Sequence, residues 1–140
     1  MSRSYISSAL RKKVRLRASN CCEYCRLSAD DTFFPHEPDH IISEKHGGET
    51  ISENIALACF DCNRFKGTDI ASRDPRTGTL VALFNPRTQN WDEHFEVAEG
   101  VILPTSPVGR ATERVLKLNL PQRVEVRTML FNSGRYPPPS

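Results

Sequence analysis

Residues 36–67 read HEPDHIISEKHGGETISENIALACFDCNRFKG, and within them acid, imidazole, amide and thiol side chains stand close together. Asp39-His40 is followed 14 residues later by Asn54, and Asn63 comes 9 residues after that, directly behind the pair Cys59-Phe60-Asp61-Cys62. Upstream lies a second pair, Cys22-Glu23-Tyr24-Cys25, with 33 residues between the two. Two CxxC pairs in one short chain suit a tetrahedral Zn²⁺ bound through soft thiolates. Four thiolates close the coordination sphere, so such a zinc is architectural. Cys21 makes a CxxxC with Cys25, which leaves the ligand choice open, although CxxC geometry favours Cys22. An Asp carboxylate and an Asn amide oxygen are hard donors of the kind that hold Mg²⁺ or Mn²⁺ at a phosphate. An imidazole beside them is suited to take a proton from water.

Composition narrows the field. The chain has 140 residues, a length that suits one domain. Its 38% hydrophobic content gives a thin core, for which a structural metal compensates. Net charge is +2, from 19 basic and 17 acidic residues, which excludes a polycationic packaging protein and an acidic tail. Five cysteines and no apolar leader argue against a disulfide framework. The longest apolar runs, 55–60 and 80–84, are too short to cross a bilayer, so no membrane partner is expected. The expected address is the cytoplasm. Oligomeric state is not legible.

Periodicity places the motifs. Six basic residues lie in 1–17: Arg3, Arg11, Lys12, Lys13, Arg15 and Arg17. Ser7 or Ser8 caps a helix to about Ala18, with Leu10, Val14 and Ala18 on one face. The rest of that helix reads either as a solvated face or as a phosphate contact. Residues 20–25 form a knuckle-like turn and 32–35 an extended segment. A strand over 36–42 is interrupted by Pro38, a loop follows over 43–50, and a strand over 55–58 leads to a helix over 61–66 that Gly67 ends. Asp74-Pro75-Arg76-Thr77-Gly78 is a turn before a strand at 80–84. A hairpin spans 95–103 with its turn at Glu99-Gly100. Ser106-Pro107 opens a helix, and Asn119 with Pro121 opens another to about Leu130. Residues 134–140, with three consecutive prolines, read as a disordered tail. The fold class is α+β.

These residues together resemble the HNH endonucleases, whose core is the ββα-metal (His-Me finger) fold. Asp39-His40-Ile41, Gly47-Gly48, Asn54-Ile55 and Cys59-Phe60-Asp61-Cys62-Asn63-Arg64-Phe65-Lys66-Gly67 carry the resemblance, with Cys22 and Cys25 supplying the zinc-stabilised variant. The likeness covers about residues 20–68. It implies a single nuclease domain over 1–133, with an extension over 69–133 made of a hairpin and helices. Segments like LFNPRTQNW and SPVGRATERVLKLN accompany one group of small stand-alone HNH proteins. By resemblance, His40 is the general base and Asn54 orients the loop and the His40 imidazole. Asp39 and Asn63 hold a catalytic divalent ion, Mg²⁺ or Mn²⁺. Cys22, Cys25, Cys59 and Cys62 hold the zinc, Arg64 and Lys66 touch phosphates, and the substrate is DNA. The final letter of the motif is Asn63 here, where many members have His.

Other histidines have plainer readings. His36 shares the His40 face by strand alternation and offers a second imidazole, His46 sits on the loop surface, and His94 is a core-edge residue or completes the site. Two other function classes compete with the nuclease: a zinc-stabilised nucleic-acid-binding module without cleavage, and a zinc protein serving only protein contact.

Overall fold

In the computed structural model residues 5–139 are described; Arg3 and Ser140 lie outside them. Helix α1 spans Ser8–Arg17, with the Ser7 hydroxyl accepting from the Leu10 amide at 3.1 Å. Val14 is fully buried, and Leu10 and Ala18 pack beside it against Ile6, Ile55 and Leu57. The i, i+4, i+8 face is thus the one that docks. Three of its basic side chains tie the chain together. Arg11 pairs with Glu37 at 3.4 Å, Arg15 donates to the His36 carbonyl, and Arg17 donates to the carbonyls of Ser52 and Ile55. Lys12 and Lys13 remain exposed.

Strands β1 (Glu37–His40) and β2 (Ile55–Ala58) pair antiparallel, with Asp39 opposite Ala56 and His40 opposite Ile55. Pro38 is accommodated opposite Leu57, because in a two-stranded hairpin both strands are edges. Alternation divides β2 cleanly: Ile55 and Leu57 face α1, while Ala56 and Ala58 join the main core with the cysteines. Helix α2 (Phe60–Lys66) follows at once, capped by the Cys59 sulfur, and ends at Gly67 with φ +52. Strand–strand–helix is the expected order.

The connection between β1 and β2 is locked from within. Gly47 takes φ +88, which favours glycine, and a Cβ on Gly48 would collide with the Ile42 carbonyl, so that position requires it.

After α2 come two further hairpins, β3 (Ala71–Arg73) with β4 (Leu80–Ala82) and β5 (Phe95–Ala98) with β6 (Val101–Pro104). The strand at β3 had no periodic signal. Helices α3 (Pro107–Leu116) and α4 (Pro121–Asn132) close the chain. One continuous core runs from Cys22 and Tyr24 through Phe84, Trp91 and Phe95 to Leu116 and Leu118. Trp91 Nε1 donates to the Tyr24 carbonyl at 2.8 Å, joining the knuckle to the C-terminal half.

Two expectations are corrected. Asn119 does not cap α4; its amide makes a two-way pairing with the Ile102 backbone at 2.9 and 2.7 Å. Nor does disorder begin at 134. Tyr136 is 3% exposed and donates its hydroxyl to the Cys25 carbonyl at 2.8 Å, while Arg135 pairs with Asp31. One aromatic anchor outweighs the proline-rich composition around it. Among the described residues no helix is long and apolar enough to cross a membrane.

Candidate metal centre and catalytic cleft

The two CxxC pairs converge. Each of Cys22, Cys25, Cys59 and Cys62 is buried, and their four sulfurs all lie within 4.8 Å of one another. Cys25 Sγ and Cys59 Sγ are 3.7 Å apart. A tetrahedron with Zn–S bonds of about 2.3 Å has edges of about 3.8 Å, so the cluster has the size and donor set of a zinc site. Burial pushes the Cys22 and Cys62 thiols up, whereas thiol hydrogen bonds from Cys22 and Cys59 pull Cys25 down. A divalent cation overrides that division by holding all four as thiolates. Cys21 is outside the cluster, its thiol donating to the Ser19 carbonyl at 3.4 Å.

Supports for this centre come from across the chain. Glu23, inside the first knuckle, donates its amide to the Leu57 carbonyl and accepts the Leu57 amide on its carboxylate at 2.8 Å. Glu23 also pairs with Arg87. From α4, Arg123 donates to Cys62 Sγ at 3.0 Å and reaches Cys59 Sγ at 3.7 Å. Nothing in the sequence around Arg123 singles it out, since the segment to about Leu130 reads only as a helix.

On the far side of α2, Asp39, His40, Ser43, Glu44, Asn63, Gly67 and Thr68 line one cleft of about 180 Å³. Asp39 and His40 come from the end of β1, and Asn63 comes from α2, one turn beyond the Cys59 cap. The three residues expected to share a site therefore border the same space. His40 is 4% exposed, and its Nε2 lies 2.9 Å from the Thr50 hydroxyl and 3.9 Å from Glu44. Ser43 is also buried, and its hydroxyl has no hydrogen-bond partner while it borders the cleft. Carboxylate, amide and hydroxyl oxygens are hard donors of the kind that Mg²⁺ or Mn²⁺ takes. In sequence Ser43, Glu44 and Thr50 read only as loop residues, because their polarity alone carries no sign of a site.

Several expected roles change. Asn54 orients the loop, with its Oδ1 accepting from the Ile42 amide and its Nδ2 donating to the carbonyls of Ile42 and Glu49, all within 2.9 Å. It makes no hydrogen bond to the His40 ring; Thr50 does that. Lys66 is no phosphate contact. It is 2% exposed and donates to the His40 carbonyl at 3.0 Å and to Asp39 Oδ2 at 3.4 Å, binding α2 to β1 beneath the cleft. Arg64 does remain exposed, paired with Asp61 at 3.2 Å.

The other histidines stay apart. His36 is buried with Nε2 donating to the Leu27 carbonyl at 2.8 Å. His94 meets the Ser106 hydroxyl at 2.6 Å and so steadies the start of α3, as a core-edge residue would. His46 is exposed.

Residues 22–69 match the family model described as HNH endonuclease. The matched segment opens at the first clustered cysteine and closes just past α2, about a third of the chain. No curated protein and no solved structure matches the chain. The match supports a nuclease or other nucleic-acid-related function in general terms.

Proposed function

We propose that the protein is a metal-dependent endonuclease that hydrolyses phosphodiester bonds in DNA. The observation that carries this reading is the shared border of Asp39, His40 and Asn63 on one cleft. In this reading His40 donates Nε2–H to the Thr50 hydroxyl, which leaves Nδ1 as the nitrogen that takes a proton from the attacking water. Asn54 acts one step back, by fixing the loop that carries Thr50. Asp39 and Asn63 would hold a Mg²⁺ or Mn²⁺ ion, which would supply charge stabilisation for the phosphate and the departing 3′ oxygen. Lys66 and the four-cysteine centre keep β1 and α2 at a fixed separation, so the two ligands meet without reorganisation. Arg64 offers its guanidinium to a neighbouring phosphate.

The test is plasmid in supercoiled and in single-stranded circular form, incubated with protein that retains its zinc, with and without added Mg²⁺ or Mn²⁺. Nicking that requires the added ion supports the proposal, and no nicking under any of these conditions removes it.

A second reading draws on one observation, the Lys66 ammonium 3.4 Å from Asp39 Oδ2. That cation already neutralises the carboxylate, as suits a zinc-stabilised nucleic-acid-binding module without cleavage. Tight DNA binding with no metal-stimulated nicking would select it.

A further inference from the structure

Three phenylalanines stand in water beside the catalytic half. Phe33 is 93% exposed, Phe34 50% and Phe60 49%. Their rings form one array: Phe34 stacks on Phe60 with centroids 4.7 Å apart and planes 24° apart, and Phe33 meets Phe34 edge-on at 5.1 Å. Exposing rings in this number has a cost that a binding role offsets. A cation borders the array. The Arg64 guanidinium lies 5.5 Å from the Phe60 centroid and 4.2 Å from that of Phe65, a ring outside the array over which the Lys117 ammonium also sits at 5.0 Å. One acid, Asp61, offsets Arg64.

The position of the array on α2 points to its occupant. Phe60, Asn63, Arg64 and Gly67 follow at i, i+3, i+4 and i+7, so they form a single stripe along the helix. Phe60 lies about 4.5 Å along the axis from Asn63, a cleft residue. A strand whose phosphate sits in the cleft and runs toward the start of α2 meets the rings next. Exposed rings beside a cation are the arrangement that holds unpaired bases, the bases stacking while the cation takes a phosphate.

We propose that Phe33, Phe34 and Phe60 form a stacking platform for unpaired bases of a nucleic acid, so that the substrate carries a single-stranded segment beside the scissile bond. This rests on the nuclease reading for the position of the scissile bond, but not for binding itself. The test measures fluorescence anisotropy, without added divalent ion, of two labelled strands of equal length: oligothymidylate and an abasic oligomer with the same phosphates. Wild type is expected to bind oligothymidylate about tenfold more tightly. The double variant Phe33→Ala/Phe34→Ala should bind both strands with the affinity that wild type has for the abasic one. Because both rings are exposed, its melting temperature should match wild type, and Phe60→Leu, which keeps apolar bulk without a ring, should lose part of the preference. Equal binding of the two strands by wild type overturns the proposal. So does a preference that survives in the double variant, or a wild-type dimer that the double variant breaks into monomers, which would assign the rings to a second copy of the chain. If the strand preference holds while plasmid nicking fails, the platform stands and the nuclease reading alone falls.

Discussion

Arg123 in α4 donates a hydrogen bond to Cys62 Sγ at 3.0 Å, across 61 residues of chain. Four thiolates around one Zn²⁺ carry a net charge of −2, in a core where charge is costly. Arg123 is 6% exposed, returns one positive charge to that centre, and also donates to the Leu116 carbonyl at 2.8 Å. The C-terminal extension thus reaches the metal site of the N-terminal half directly. Asp61 Oδ2, 3.8 Å from Arg123, completes the link to α2.

Replacing Arg123 with Met keeps the bulk and removes the charge. The variant is expected to hold zinc about 10- to 100-fold more weakly, the range for lost outer-shell partners. Competition with a colorimetric chelator measures this; wild-type zinc affinity in Arg123→Met would contradict it.

Cys59→Ser and Cys21→Ser should behave oppositely. The former removes a clustered sulfur and is expected to abolish zinc binding and folding together, since a structural zinc contributes about 10–16 kcal/mol in small domains. Metal analysis of wild type and of Cys21→Ser should return about one zinc per chain. Zinc loss from Cys21→Ser would show that the spare thiol is a ligand.

Lys66 and Arg64, two residues apart, should separate stability from binding. Lys66→Met removes a buried ammonium that bonds both the Asp39 carboxylate and the His40 carbonyl, and should destabilise by about 3–5 kcal/mol in chemical denaturation. Arg64→Ala should leave stability nearly unchanged and lower the salt slope of DNA binding by about one. An unchanged slope in Arg64→Ala would remove it from the phosphate contacts.

Asp74 offers a pH test away from the cleft. Arg110 donates to both of its oxygens, at 2.8 and 3.0 Å, and holds its carboxyl well below the usual range. A carboxyl depressed in the folded state stabilises at any pH above its unfolded value, near ~3.9, and that contribution fades only as pH falls further. The melting-temperature gap between wild type and Asp74→Asn should therefore stay constant from about pH 8 to about pH 5. A gap that narrows within this window would mean that Arg110 does not control the carboxyl.

Local patterns were the legible part. The spacing of Leu10, Val14 and Ala18 names the docked face of α1, and the two CxxC pairs name the four clustered sulfurs. Asp39, His40 and Asn63 were legible through joint spacing, and they border one cleft. The resemblance makes Lys66 a phosphate contact, yet it stands four residues after Cys62. The face that buries Cys62 must bury Lys66 too. Arg123, Arg127 and Tyr136 were not legible, because their partners are backbone carbonyls and sulfurs contributed by distant segments. In α4 the apolar side chains Val126 and Met129 face water while the arginines are buried, which inverts the usual pattern.

The central claim is that His40 takes the proton in a metal-assisted cleavage. Its most direct test is the nicking rate of supercoiled plasmid with Mg²⁺ or Mn²⁺, for wild type and for His40→Ala purified in parallel. His40→Ala should keep its zinc and its DNA affinity and lose about 10²- to 10⁴-fold in rate. Nicking by His40→Ala at the wild-type rate would contradict the account.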